Sequence, residues 1–209
     1  MFDLYDSIAT QILNCMAALD NEAFLWTPRF TVPDEHLGIP DIGYQEIPVT
    51  FPWRTKSRHC DKARSIIKAM KRPPLIQQGY DGASYLPEND TVFLPDRTQF
   101  HSEEELYATV FHELVHSTGH ESRLYRPRMQ IVFNQSADPD LQNAEEEVLT
   151  ELAAAFLCAH SGIIENTIRG SVAYIRDWAA VISPSNTACA VIDALPDAKR
   201  ACAYILGQK

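Results

Sequence analysis

Apolar residues recur with helical spacing at the start of the chain. Leu4, Ile8, Ile12, Met16 and Leu19 form one stripe, which predicts an amphipathic helix over residues 3–19. Residues 27–53 break that rhythm with five prolines (Pro28, Pro33, Pro40, Pro48 and Pro52). This stretch reads as irregular, with short strands around Ile47 to Phe51, and it supplies the domain boundary. Asp61 is placed to cap a helix reaching about Lys71, where Pro73-Pro74 stops it. Two extended runs follow, Leu75–Gln78 and Ala83–Leu86, with Asp81-Gly82 between them reading as a hairpin turn. Thr91–Leu94, rich in β-formers, predicts a third strand. Ser102 with Glu105 three residues later forms a capping box for a helix that ends near Gly119, a suitable C′ residue. A second strong helix is expected over Asn143–His160, and helical stretches follow near 166–182, 185–194 and 197–206. A helix, a few strands and then mostly helix define an α+β class dominated by helix. The expected division is an N-terminal helix with an irregular extension over residues 1–60, then one domain over 61–209.

Composition narrows the classes. The 209 residues are 45% hydrophobic and 22% charged, which fits a globular protein and excludes collagen-like, coiled-coil and disordered chains. No apolar run approaches the roughly 20 residues needed to cross a bilayer. The first residues carry acids where a signal peptide carries bases, so no membrane partner and a cytoplasmic location are expected. Five cysteines (Cys15, Cys60, Cys158, Cys189, Cys202), widely spaced and without a CxxC, read as reduced thiols in a core. The net charge is −10, yet residues 54–72 hold eight bases against Asp61 alone. With Trp53 beside it, this run, including Lys62, Arg64 and Lys68, is the segment through which nucleic acid could be bound. The acidic remainder repels it at long range.

The most informative segment is His112-Glu113-Leu114-Val115-His116. On a helix, residues four apart share a face, so both imidazoles can reach one metal ion, and Glu113 lies one step round the helix, placed to take a proton from water. A metzincin would carry a further histidine ligand at the position of Ser122, so that route fails. His120 lies eight residues from His112, about 12 Å along a helix, and reads as a second-sphere or structural group. A later helix offers carboxylates instead. Glu145 and Glu146 are accounted for by the favourable charge interaction at a helix N-terminus. Glu147 and Glu151 share a face beside Val148, Leu152, Ala155 and Phe156, and buried carboxylates need a partner. Glu147 is assigned as third ligand and Glu151 as the acceptor orienting a ligating histidine, with the exchange of these two roles left open. Two histidines and one carboxylate leave a position for water, the arrangement of a catalytic zinc that lowers the pKa of its water towards about 7. Glu113 would then serve as general base in attack on a peptide carbonyl. Tyr174 and His160 are oxyanion candidates by residue type. Tyr174, Ile175 and Trp178 at helical spacing also suit a core stripe.

These motifs together resemble the zincin-like metallopeptidase domain of ArdC-type antirestriction proteins and of the polyvalent proteins of phages and conjugative elements. The resemblance spans about residues 62–206. It is carried by Tyr85-Leu86-Pro87-Glu88-Asn89-Asp90 with Val92 to Pro95, by His112 to His120 with Ser122-Arg123-Leu124, by Glu146 to Cys158, and by Tyr174 and Trp178. It implies a helix-rich zincin fold in which the HExxH helix packs behind a small mixed sheet whose edge strand takes an extended peptide; Val92, Phe93 and Leu94 are the candidate strand. It implies a metal site of His112, His116 and Glu147 with Glu151 behind it, holding Zn2+ or Mn2+. The implied activity is gluzincin-like hydrolysis of a protein or peptide substrate in conflict between mobile elements and hosts. The family's upstream domain, suited to single-stranded DNA, is not supplied by the first 60 residues, so inherited DNA binding is not expected. The alternative readings are a non-catalytic, metal-stabilised inhibitor and a nucleic-acid-binding protein using segment 54–72.

Overall fold

A computed structural model describes residues 3–19, 58–126 and 139–208. The strands expected near Ile47–Phe51, the proline-rich stretch around them, and Trp53 with Arg54 and Lys56 lie outside the described residues. In chain order the elements are α1 (Leu4–Leu19), α2 (Arg58–Ala69), β1 (Leu75–Tyr80), β2 (Ser84–Leu86), β3 (Thr91–Pro95), α3 (Glu103–Thr118), α4 (Pro139–Ser161), α5 (Ile164–Ile182) and α6 (Thr187–Ile205). The helix-rich α+β architecture with a small mixed sheet is the one expected.

The stripe on α1 buries Ile8, Ile12 and Met16 against α4, α5 and α6, so this helix belongs to the same core as the rest. Asp61 does not cap α2. It lies in the first turn and pairs with Arg64 at 2.8 Å. Arg64 also reaches Glu103 and the Tyr107 hydroxyl, so one base of the basic segment is engaged within the fold.

The sheet corrects the expected strand pairing. Its order is β1-β3-β2, with β1 parallel and β2 antiparallel to β3, so β1 and β2 form no hairpin across Asp81-Gly82. Burial explains why. Thr91, Val92, Leu94 and Pro95 of β3 are all buried, which places that strand at the centre. β1 carries Gln77, Gln78 and an exposed Leu75, the composition of an edge. Its ladder slips at Gly79, whose φ of +98° admits the bulge there. Val92 therefore pairs with both Ile76 and Tyr85, and Phe93 with both Gln77 and Ser84. The segment Val92-Phe93-Leu94 is not a free edge and cannot take a peptide by strand addition. Among the described residues the outer edges of this sheet belong to β1 and β2.

Behind the sheet, β2 and β3 pack on α3, and α3 packs on α4. The capping expectation for α3 holds: the Ser102 hydroxyl accepts from the Glu105 amide at 3.0 Å, while the Glu105 carboxylate accepts from the His101 amide at 2.8 Å. Gly119 does not stop the helix by a left-handed turn, since its φ is −74°. Arginines add to the bonds on the last carbonyls: Arg126 donates to Val115 O beside the Thr118 hydroxyl, and Arg123 to Ser117 O beside the His120 amide.

Helix α4 touches all five other described helices, and from Leu152 to Cys158 every residue is buried, as a central helix requires. It begins four residues before the expected start, at Pro139, because proline is at home in a first turn whose amides lack helical partners. Gly162, at φ +84°, ends it, with the Gly162 and Ile163 amides both donating to Cys158 O. The two helices expected over 185–206 are one, α6, which runs through Pro196. Pro196 is exposed, so water can satisfy the carbonyl it leaves free, while Ala190, Val191, Ala198, Ala201 and Cys202 keep a buried face on both sides of it.

Candidate metal centre

The centre forms where α3 and α4 face each other. His112 and His116, one turn apart on α3, meet Glu147 and Glu151, one turn apart on α4. The His112 and His116 Nε2 atoms stand 3.1 Å apart. Glu147 places Oε2 3.3 Å from His112 Nε2 and Oε1 3.4 Å from His116 Nε2. His112, His116 and Glu147 thus bring one donor atom each within 4.8 Å of one another. Donors arranged tetrahedrally about 2.05 Å from a zinc ion stand about 3.3 Å apart, so this spacing fits such an ion.

Outer partners fix which ring atoms face the centre. Glu151 Oε2 lies 2.7 Å from His112 Nδ1, where an ionised carboxylate can only accept, so Nδ1 carries the proton. His116 Nδ1 faces Thr150 Oγ1 at 3.3 Å and Glu146 Oε1 at 3.5 Å. Both Nε2 lone pairs are therefore directed at the Glu147 carboxylate and at each other. Such a set calls for positive charge. Protons can supply it: burial opposes charging His112, but Glu147 and Glu151 raise its pKa well above the usual value. Against burial, Glu147 and Glu146 push His116 up to about 9. Glu147, which burial alone would raise, is held well below the carboxylate range by the two imidazoles. A dication supplies the same charge, and two imidazoles with one carboxylate are a donor set for a divalent transition metal. Side-chain exposures of 12%, 11% and 14% for His112, His116 and Glu147 leave a narrow opening to solvent.

Glu113 is buried beside the pair of histidines. Burial raises its pKa above the ordinary carboxylate value, and the charges of Glu147 and Glu151 add to the rise while His112 and His116 offset part of it. Tyr174 comes from α5, where its ring stands edge-on to His112 with centroids 5.4 Å apart. Its hydroxyl donates to Glu147 Oε2 at 2.6 Å, and burial followed by the Glu147 charge raises its pKa. In this arrangement the Tyr174 proton is committed to a carboxylate. His160 is not at the centre. It lies nine residues beyond Glu151, about 13 Å along α4, against the Tyr5 hydroxyl. His120 bonds Ser122 Oγ through Nδ1 at 2.8 Å, a local turn contact outside the donor set.

Sequence reasoning passed over Arg126, Glu146 and Thr150. The Glu146 charge was attributed to the start of α4, but Glu146 lies two turns inside that helix and is 2% exposed. Arg126 holds it through a fork, Nη2 to Oε1 at 2.5 Å and Nε to Oε2 at 3.1 Å. The missed signal was a second row four residues apart, Glu146 with Thr150, beside the Glu147 and Glu151 row.

Residues 61–194 match the profile of a family described as zincin-like metallopeptidase. Two DNA primase TraC sequences of Escherichia coli are similar: one is 31% identical over 146 residues and the other 36% identical over 99. These alignments cover 70% and 47% of this chain but only 9% of each relative. The crystal structure of the antirestriction protein ArdC from the R388 plasmid, in its Mn(II)-bound form, superposes with a TM-score of 0.52 at 26% identity. That match covers 73% of this chain and 52% of ArdC. The resemblance read from the motifs is thus matched in both sequence and fold, and the chain belongs to the zincin-like metallopeptidase family.

Proposed function

We propose that this chain is a metal-dependent peptidase that serves a mobile genetic element against its host, in an antirestriction-like role. The observation that carries the reading is the convergence of His112 Nε2, His116 Nε2 and the Glu147 carboxylate, with Glu113 buried beside them. When bound there, Zn2+ supplies Lewis acidity and brings water ionisation towards neutral pH; Mn2+ is the alternative ion. Glu151 and Glu146 hold the imidazoles in the tautomer that presents Nε2, and Tyr174 holds Glu147. Glu113 accepts the proton of the attacking water and delivers it to the departing amine, a task suited to a carboxylate whose pKa burial has raised. Among the described residues it is β1 and β2, not β3, that pair on one side alone, so an extended peptide would add to one of these outer strands. The relatives' names support the mobile-element context: ArdC is called an antirestriction protein and carries Mn(II), and TraC is called a DNA primase.

The test compares wild type with Glu113→Gln in host-cell lysate, reading new protein N-termini by mass spectrometry. Wild type should create termini that the variant lowers by about 100-fold or more, with equal metal content in both. Indistinguishable samples from two metal-loaded proteins would remove hydrolysis and leave a binding or inhibitory role.

A further inference from the structure

The two histidines are supported differently. Glu151 contacts His112 directly at 2.7 Å. His116 instead faces a buried assembly drawn from three parts of the chain. Thr150, fully buried on α4, places Oγ1 3.3 Å from His116 Nδ1 and 3.4 Å from Glu146 Oε1. Glu146 is clasped by the Arg126 fork, and the remaining Arg126 donors reach the Thr118 hydroxyl and Val115 O at the end of α3. Arg126 is 6% exposed and Glu146 2%. This guanidinium therefore ties the end of the HExxH helix to the carboxylate behind its second histidine.

A purely structural clasp would need no third member at the imidazole. The hydroxyl of Thr150 sits where it can accept from His116 Nδ1–H and donate to Glu146, which fixes the ring in the tautomer that presents Nε2 to Glu147. We propose that Arg126, Glu146 and Thr150 form a positioning relay that orients His116 and thereby sets the affinity of the centre for a divalent metal. The inference rests on the metal reading of His112, His116 and Glu147 and is independent of peptidase activity.

The experiment measures Zn2+ affinity by chelator competition and the visible spectrum of the Co2+-loaded protein, with folding of the metal-free proteins checked by circular dichroism. Arg126→Met combined with Glu146→Leu removes both charges together, so neither is left buried alone. Thr150→Val removes only the hydroxyl and keeps the side-chain volume, so it decides the matter if the double variant does not fold. Both changes should weaken Zn2+ binding by about 10- to 100-fold and alter the Co2+ absorption, and Thr150→Ser should restore most of the loss. Folded variants with wild-type affinity and an unchanged Co2+ spectrum would reduce the relay to a structural clasp and overturn the inference. Wild type that takes up no Zn2+ would overturn the metal reading itself, an outcome distinct from unchanged variants.

Discussion

Two successive stretches of α4, both largely buried, are differently made. Residues 146–151 carry Glu146, Glu147, Thr150 and Glu151, each engaged by a directed partner from α3, α5 or Arg126. Residues 152–158, Leu-Ala-Ala-Ala-Phe-Leu-Cys, are all buried and apolar. The apolar half gains from removing area from water, which any well-fitting apolar neighbour provides. In the polar half, burying charge opposes folding, and the charges are tolerated only because specific atoms meet them. One half therefore stabilises a helix whose other half is arranged for a cation.

The comparison breaks most visibly if the halves do not separate under mutation. Phe156→Ala should destabilise the protein by about 3–5 kcal/mol in urea unfolding, since Phe156 is 0% exposed and packs on Tyr5 with ring centroids 5.0 Å apart. Zn2+ affinity of the molecules that remain folded should not change. A loss of affinity parallel to the loss of stability would mean that the halves act as one. Metal linkage comes next in size. At a free Zn2+ concentration one hundred times its dissociation constant, wild type should gain about 2.7 kcal/mol of stability, seen as a higher melting temperature. Glu147→Ala should gain none, and an equal gain in both proteins would place the ion elsewhere.

How much of this was legible depends on whether the signal was local. The Ile8, Ile12 and Met16 positions of the α1 stripe, the Ser102 cap and the His112–His116 face are set by residues within a few turns of one another and appear where the spacing places them, while Leu4, at the start of the stripe, is 42% exposed. The Glu147 and Glu151 row was legible for the same reason. The sheet order was not: Asp81-Gly82 carries a hairpin signature, yet the buried positions of β3 drew that strand between the other two. The role of Glu146 was hidden by a boundary error, because starting α4 at Asn143 turned an interior carboxylate into a terminal one. Its partner Arg126 lies on a loop, twenty residues away, where no periodicity points to it.

A smaller effect sharpens the contrast by testing a polar joint with no place for a metal. Arg123, its side chain 1% exposed, forks onto Asp90 with both bonds at 2.8 Å and so joins the end of α3 to the turn before β3; Tyr85 donates to the same carboxylate at 2.9 Å. Burial works to raise the pKa of Asp90, but the Arg123 and Tyr85 hydrogen bonds prevail and hold it below the usual value. A carboxylate with a folded pKa below its unfolded value of about 3.9 stabilises the fold above that pH. That contribution is lost as pH falls through the lower, folded value. Asp90→Asn should therefore cost about 2 kcal/mol at pH 7, part of it from the buried Arg123 charge left without its counter-ion. The difference from wild type should shrink as pH falls below about 4, because wild type then loses what the variant already lacks. Urea unfolding of both proteins at neutral and acid pH measures the two gaps. Equal gaps would assign the loss to shape rather than charge, whereas a gap that closes in acid identifies an ion pair held together by its own two charges, unlike the centre on α4.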